Sequence, residues 1–89
     1  MYVDRARNPY HGMIMSHMLA DTIPELHAMA DRLGLHRRWF QNEKTPHYDV
    51  CQETRERALA LGAIEIDRRE AALMVRLWRS RRQKPGKIG

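Results

Sequence analysis

One cysteine, Cys51, occurs in the 89 residues, so there is neither a disulfide framework nor a cysteine-based zinc finger. Long apolar runs are missing too. The longest nearly apolar stretch, Met13 to Ala20, is interrupted by Ser16 and His17 and is far too short to cross a bilayer. The N-terminus lacks the basic, apolar, small-residue order of a signal peptide, which makes a reducing cytoplasm the expected location and a membrane no expected partner. Neither G-x-x-x-x-G-K-S/T nor G-x-G-x-x-G is present, which removes the standard nucleotide-binding loops. No HExxH or CxxC spacing, internal repeat or low-complexity segment occurs either.

What is there fits a small globular chain. Hydrophobic residues make up 43%, which argues against disorder. At this length one core must do nearly all the stabilising, so the expected organisation is a single domain over residues 1–83 followed by a flexible basic tail at 84–89. The net charge of +5 is unevenly spread. Residues 1–67 hold 8 Lys/Arg and 10 Asp/Glu, giving −2, whereas residues 68–89 hold 8 Lys/Arg and only Glu70, giving +7. Such asymmetry suggests a polyanion contact through the C-terminal end; a solvated helix face is the plainer alternative.

Local patterns outline the elements. Met1-Tyr2-Val3 is β-prone, Asn8-Pro9 signals a turn, and Tyr10 to Gly12 continue it. Met15 to Ala20 reads as a strand. Thr22 with Glu25 three residues on, and Pro24 in the first turn, start a helix. Leu26, Met29, Ala30 and Leu33 give it a buried stripe, and Gly34 closes it. Arg37 to Gln41, with Trp39 and Phe40, is expected as a strand that sends both aromatics into the core. Asp49, with Gln52 in the capping-box position, is expected to cap a second helix that Gly62 ends. Ala63 to Ile66 alternates as a short strand. Asp67 with Glu70 opens a third helix whose inner face is Ala71, Met74, Val75 and Trp78. The expected fold is α/β, a four-stranded mixed sheet in the order β-β-α-β-α-β-α, with parallel pairs through right-handed crossovers, covering helices and a basic C-terminal helix and tail.

The stretch Leu35 to Asp49 concentrates the polar chemistry. Within it, His47-Tyr48-Asp49 precedes a helix start, where a histidine can serve as general base or metal ligand beside anion-attracting N–H groups. Asp49 has a simpler duty as cap, worth about 1 kcal/mol. His17 and Asp21 fall at the end of a strand, where ligands gather in open α/β sheets, and Asp4 and Gln41 should lie near them. The candidate catalytic residues are therefore His17, Asp21 and His47, and the candidate ligand contacts are Asp4, Gln41, Tyr48, Asp49 and Arg38. No motif calls for a cofactor. A divalent metal on His17, Asp21 and His47 stays a lesser alternative, since zinc and manganese accept such N/O ligands. Arg76, Arg79, Arg81, Arg82 and Lys84 could contact nucleic-acid phosphates without sequence readout.

Ser16-His17-Met18-Leu19-Ala20-Asp21-Thr22, then Glu25-Leu26-His27-Ala28-Met29-Ala30, Leu33-Gly34, Arg38-Trp39-Phe40-Gln41 and His47-Tyr48-Asp49 resemble the short bacterial and phage proteins catalogued as domain of unknown function 4031. The resemblance runs from about Met1 to Arg69. It implies one intact domain from a bacterium or phage and carries no assigned activity. Two functions stay open. The first is a His/Asp site that binds or acts on a phosphate-bearing ligand, a nucleotide or nucleic acid. The second is a non-catalytic accessory protein that binds nucleic acid, or a host protein if phage-encoded, through the basic helix. A homodimer is compatible with either.

Overall fold

Seven residues, Met13–Leu19, form the strand to which most of the others attach. The structure, a computed structural model, describes residues 1–82. Its elements are β1 (Tyr2–Val3), β2 (Asn8–Tyr10), β3 (Met13–Leu19), α1 (Ile23–Leu33), a 3-10 helix (Arg37–Trp39), β4 (Tyr48–Cys51), α2 (Gln52–Ala60), β5 (Ile64–Glu65) and α3 (Arg68–Arg82). The fold is α/β, three helices on an open mixed sheet. The tail expected at 84–89 lies outside the described residues.

Both edges of β3 are occupied. On one, β4 pairs antiparallel with Met15↔Cys51, Ser16↔Val50, His17↔Asp49 and Met18↔Tyr48 in register. On the other, β2 pairs with its first half (Asn8↔Met15) and β1 with its second (Val3↔Met18), both antiparallel. After Asp4, whose N–H still donates to His17 O at 3.0 Å, the chain to Arg7 lies outside both strands and bulges opposite Ser16 and His17. β5 then adds parallel to β1. Parallel pairing is thus confined to one pair, although strand–helix–strand repeats suggested more. Strands β3 and β4, though joined through α1, pair antiparallel, and the two-residue turn at His11 and Gly12 makes β2 and β3 antiparallel as well.

Successive strand residues alternate between faces. Val3, Met18, Tyr48 and Val50 are buried against Leu26, Met29, Ala30 and Leu33 of α1 and Ala58 of α2. His17, Asp49, Met15 and Cys51 share the opposite face and stay half-buried. The α1 start is as the sequence pattern suggests: Thr22 Oγ1 accepts from Glu25 N–H at 3.3 Å, and Gly34 ends the helix at φ 76°. The α3 start is a reciprocal capping box, with Asp67 and Glu70 each accepting the other's backbone N–H at 2.8 Å.

Asn8–Tyr10, expected as a turn, is strand β2 because it pairs with Met13–Met15, and the sheet has five strands rather than four. Three further expectations fail. Asp49 does not cap a helix. Pairing with β3 runs through Cys51 and buries Tyr48 and Val50, each worth roughly 1.5–3 kcal/mol, which outweighs a cap worth about 1 kcal/mol. Helix α2 therefore begins at Gln52, whose side chain bonds Ile14 O and Ser16 Oγ across the sheet. Arg37–Gln41 is not a strand either. A 3-10 turn rotates Phe40 onto the core and leaves Trp39 49% exposed, and only Gln41 reaches the sheet, in a bridge to His47. Along α3, Trp78 alone is buried, and Ala71, Met74 and Val75 are half-covered.

Candidate metal centre

Cross-strand pairing places His17 directly opposite Asp49. The Gln41–His47 bridge, with backbone bonds of 2.9 Å in both directions, adds His47 two residues before Asp49 on the same face. The imidazoles of His17 and His47 meet edge to face with centroids 5.4 Å apart. Between them sits Asp49 Oδ1, 3.9 Å from His17 Nε2 and 3.5 Å from His47 Nε2. One ligand atom from each of the three lies within 4.8 Å of the others.

The other nitrogen of each ring is already committed. His17 Nδ1 lies 2.7 Å from Asp4 Oδ2, and His47 Nδ1 lies 2.8 Å from the Thr45 carbonyl oxygen. A carbonyl only accepts, so the proton of neutral His47 sits on Nδ1, and the Asp4 carboxylate fixes the same tautomer in His17. When both rings are neutral, the two Nε2 atoms present bare lone pairs to an Asp49 oxygen. Three acceptors converging without a donor repel one another until a proton or a cation comes between them. Gln41 Nε2 donates to the remaining Asp49 oxygen at 2.8 Å and so orients the carboxylate.

The bulge builds the support behind His17. Asp4 Oδ1 accepts from the backbone N–H groups of His17 (2.8 Å) and Ala6 (3.2 Å), and Ser16 Oγ donates to Ala6 O at 2.8 Å. Buried Arg55 of α2 donates to Asp4 O at 2.9 Å and pairs with Glu65 of β5. Hydrogen bonding to Asp4 is the main influence on His17 and raises its pKa above the ordinary 6.5. Burial alone would push the Asp4 carboxyl up, but the His17 ring and backbone N–H together outweigh it and hold it below 3.8.

Not every candidate residue reaches this cluster. Asp21 lies apart from it: its carboxylate accepts from the Tyr2 hydroxyl at 3.2 Å, and Asp49 holds the position expected of it. Tyr48 faces the other way, fully buried, with its hydroxyl 2.7 Å from His27 Nδ1. Asp4 stands behind His17 rather than at the open face. Arg38 lines the adjoining cavity. Arg76 and Arg79 are exposed on α3, Arg81 and Arg82 donate to the Asp21 and Asn42 carbonyls, and Lys84 lies outside the described residues. Asp49 had a legible signal: His47, Asp49 and Cys51 alternate with Tyr48 and Val50, which is the period of a strand. The Thr45 carbonyl had none, since backbone acceptors leave no mark on a sequence.

A family model described as Protein of unknown function (DUF4031) matches residues 1–78 of the chain. The chain belongs to that family. The DUF4031 match includes Asp4, His17, Gln41, His47 and Asp49, so the whole cluster falls inside the family domain, and it reaches Trp78, beyond the Arg69 limit the residues had suggested. No curated protein and no solved structure matches this DUF4031 chain. No helix among the described residues is long and apolar enough to cross a membrane.

Proposed function

We propose that this domain binds a divalent metal through His17 Nε2, His47 Nε2 and Asp49, and uses it to hold a phosphate-bearing ligand. One observation carries the reading: both imidazoles are locked with Nδ1 on an oxygen and Nε2 aimed at the same carboxylate oxygen. Metal-binding histidines characteristically give their second nitrogen to a carboxylate or a backbone carbonyl, and this cluster has one of each. Ligands bound at about 2.0–2.2 Å sit roughly 3–3.5 Å apart, so a small inward movement of the side chains completes the set. Two imidazoles and one carboxylate suit zinc, manganese or iron(II) and leave positions open for an outside oxygen. A metal there supplies a Lewis acid for phosphoryl oxygens and lowers the pKa of bound water.

Calorimetric titration with zinc and with manganese tests this. The parent protein is expected to bind one ion per chain. Asp49→Asn and His17→Ala should lose binding, and Asp4→Asn, which removes only the support of His17, should weaken it about 10- to 100-fold. Affinity should rise with pH, because protons compete for His17. Equal affinity in the parent and in Asp49→Asn would sink the proposal.

A further inference from the structure

We propose that the cavity beside this cluster receives a nucleobase, so that the phosphate-bearing ligand is a nucleoside phosphate. The inference rests on the metal reading for its phosphate end and on separate residues for its base end. The cavity has a volume of about 640 Å³, within the range of small-molecule sites. Asp49, one of the three ligands, belongs to its wall together with Gln41, which donates to the Asp49 carboxylate, so an occupant has one end beside the metal position.

The rest of the wall suits a flat, apolar ring. Met13, Met15 and Leu35 line it with flexible aliphatic and thioether surface, and Trp39 and Tyr10 add aromatic rings. Those two rings are 49% and 57% exposed, which the fold does not require of them. Trp39 nevertheless has a defined setting. Its 3-10 turn is tied to α1 by the Arg37–Asp31 ion pair at 3.1 Å, and the His36 ring meets it edge-on at 5.3 Å. The Arg38 guanidinium, 5.9 Å from the Trp39 ring centre, puts a cation in the same wall. Aromatic faces with a neighbouring arginine recognise bases by stacking and tolerate all of them. A sugar phosphate alone would leave most of this volume empty. A lipid chain would gain nothing from Arg38, Gln41 and Asp49.

The test is calorimetry on the intact protein with adenosine 5′-monophosphate, ribose 5-phosphate and adenosine, each with and without manganese. With manganese, the nucleotide should bind about tenfold or more tighter than ribose 5-phosphate. Trp39→Ala, a change at an exposed ring that leaves the core intact, should remove most of that advantage and leave ribose 5-phosphate binding unchanged. Uridine 5′-monophosphate should behave like the adenine nucleotide, within a few-fold. Equal affinity for nucleotide and sugar phosphate, no binding of either, or a nucleotide affinity untouched by Trp39→Ala would each overturn the pocket. If manganese adds nothing while adenosine and its nucleotide still bind through Trp39, the metal reading falls and the base pocket stands. If manganese aids both phosphates but the nucleotide holds no advantage over ribose 5-phosphate, the base pocket falls and the metal reading stands.

Discussion

The bond between Asp4 and His17 pulls its two partners' titrations in opposite directions, and this gives it a signature in pH. The folded state raises the His17 pKa above 6.5, so that contribution is fully present below 6.5 and is lost as pH rises through the folded value. Asp4 is held below 3.8, so its contribution is present above that value and disappears as pH falls through the lower folded one. The pair therefore stabilises the metal-free protein most between pH 3.8 and 6.5. Denaturant unfolding of the parent and of His17→Gln in chelator, run across pH, checks it. The gap in stability should be on the order of 1–3 kcal/mol near pH 5 and shrink above neutrality. A gap that widens with pH would contradict the assignment of the bond.

At the scale of elements, the β2–β3 hairpin depends on two positive φ angles, 49° at His11 and 79° at Gly12, the geometry of a type I′ turn. A Cβ on Gly12 would meet nothing within 4 Å, so any penalty there is backbone strain alone. Gly12→Ala should lower stability by about 1 kcal/mol and Gly12→Asn by clearly less, as thermal melts can show. An alanine variant as stable as the parent would mean that the turn takes another shape. The elements also show where sequence reasoning reaches its limit. The α1 and α3 boundaries were legible because Thr22, Gly34 and the Asp67–Glu70 box act within one turn of chain. Strand β4 is hidden because Asp49-x-x-Gln52 imitates a capping box, while its real partner, β3, lies thirty or more residues away in the chain. Trp39 and Phe40 suggested a strand because both are large and aromatic, yet which of them is buried depends on how the following loop folds back onto His47. His17 and His47 could be named as candidates from residue type alone. The alternation of His47 and Asp49 puts those two on one face, but that His17 lies opposite Asp49, and Asp21 does not join them, follows from the long-range register of β3 and β4.

At the scale of the molecule, α3 stands apart from the layered core. Of its fifteen residues only Trp78 is buried, with its indole N–H donating to Ala20 O at 3.1 Å, and Leu73 and Leu77 are more than half exposed. Its last turn reaches across toward the face of the His17–His47–Asp49 cluster, where Arg82 donates to the Asn42 carbonyl at 2.9 Å, next to Gln41. Few buried contacts mean a low free energy of local opening, so α3 amides should exchange with solvent faster than those of α1, well below the limit set by global unfolding. The Asn42–Pro46 loop that Arg82 grasps is also the one that presents His47. Opening of α3 and occupation of the centre are then linked events, and linkage is reciprocal. Whatever stills the loop from the metal side should slow exchange in the last turn of α3, and loosening that turn should weaken the metal by the same factor. Hydrogen exchange with and without manganese measures both sides of this, and unchanged protection in α3 would show the two to be independent. If the exchange rates couple in this way, the end of the helix acts as a latch, and its fraying sets how long the proposed site stays assembled.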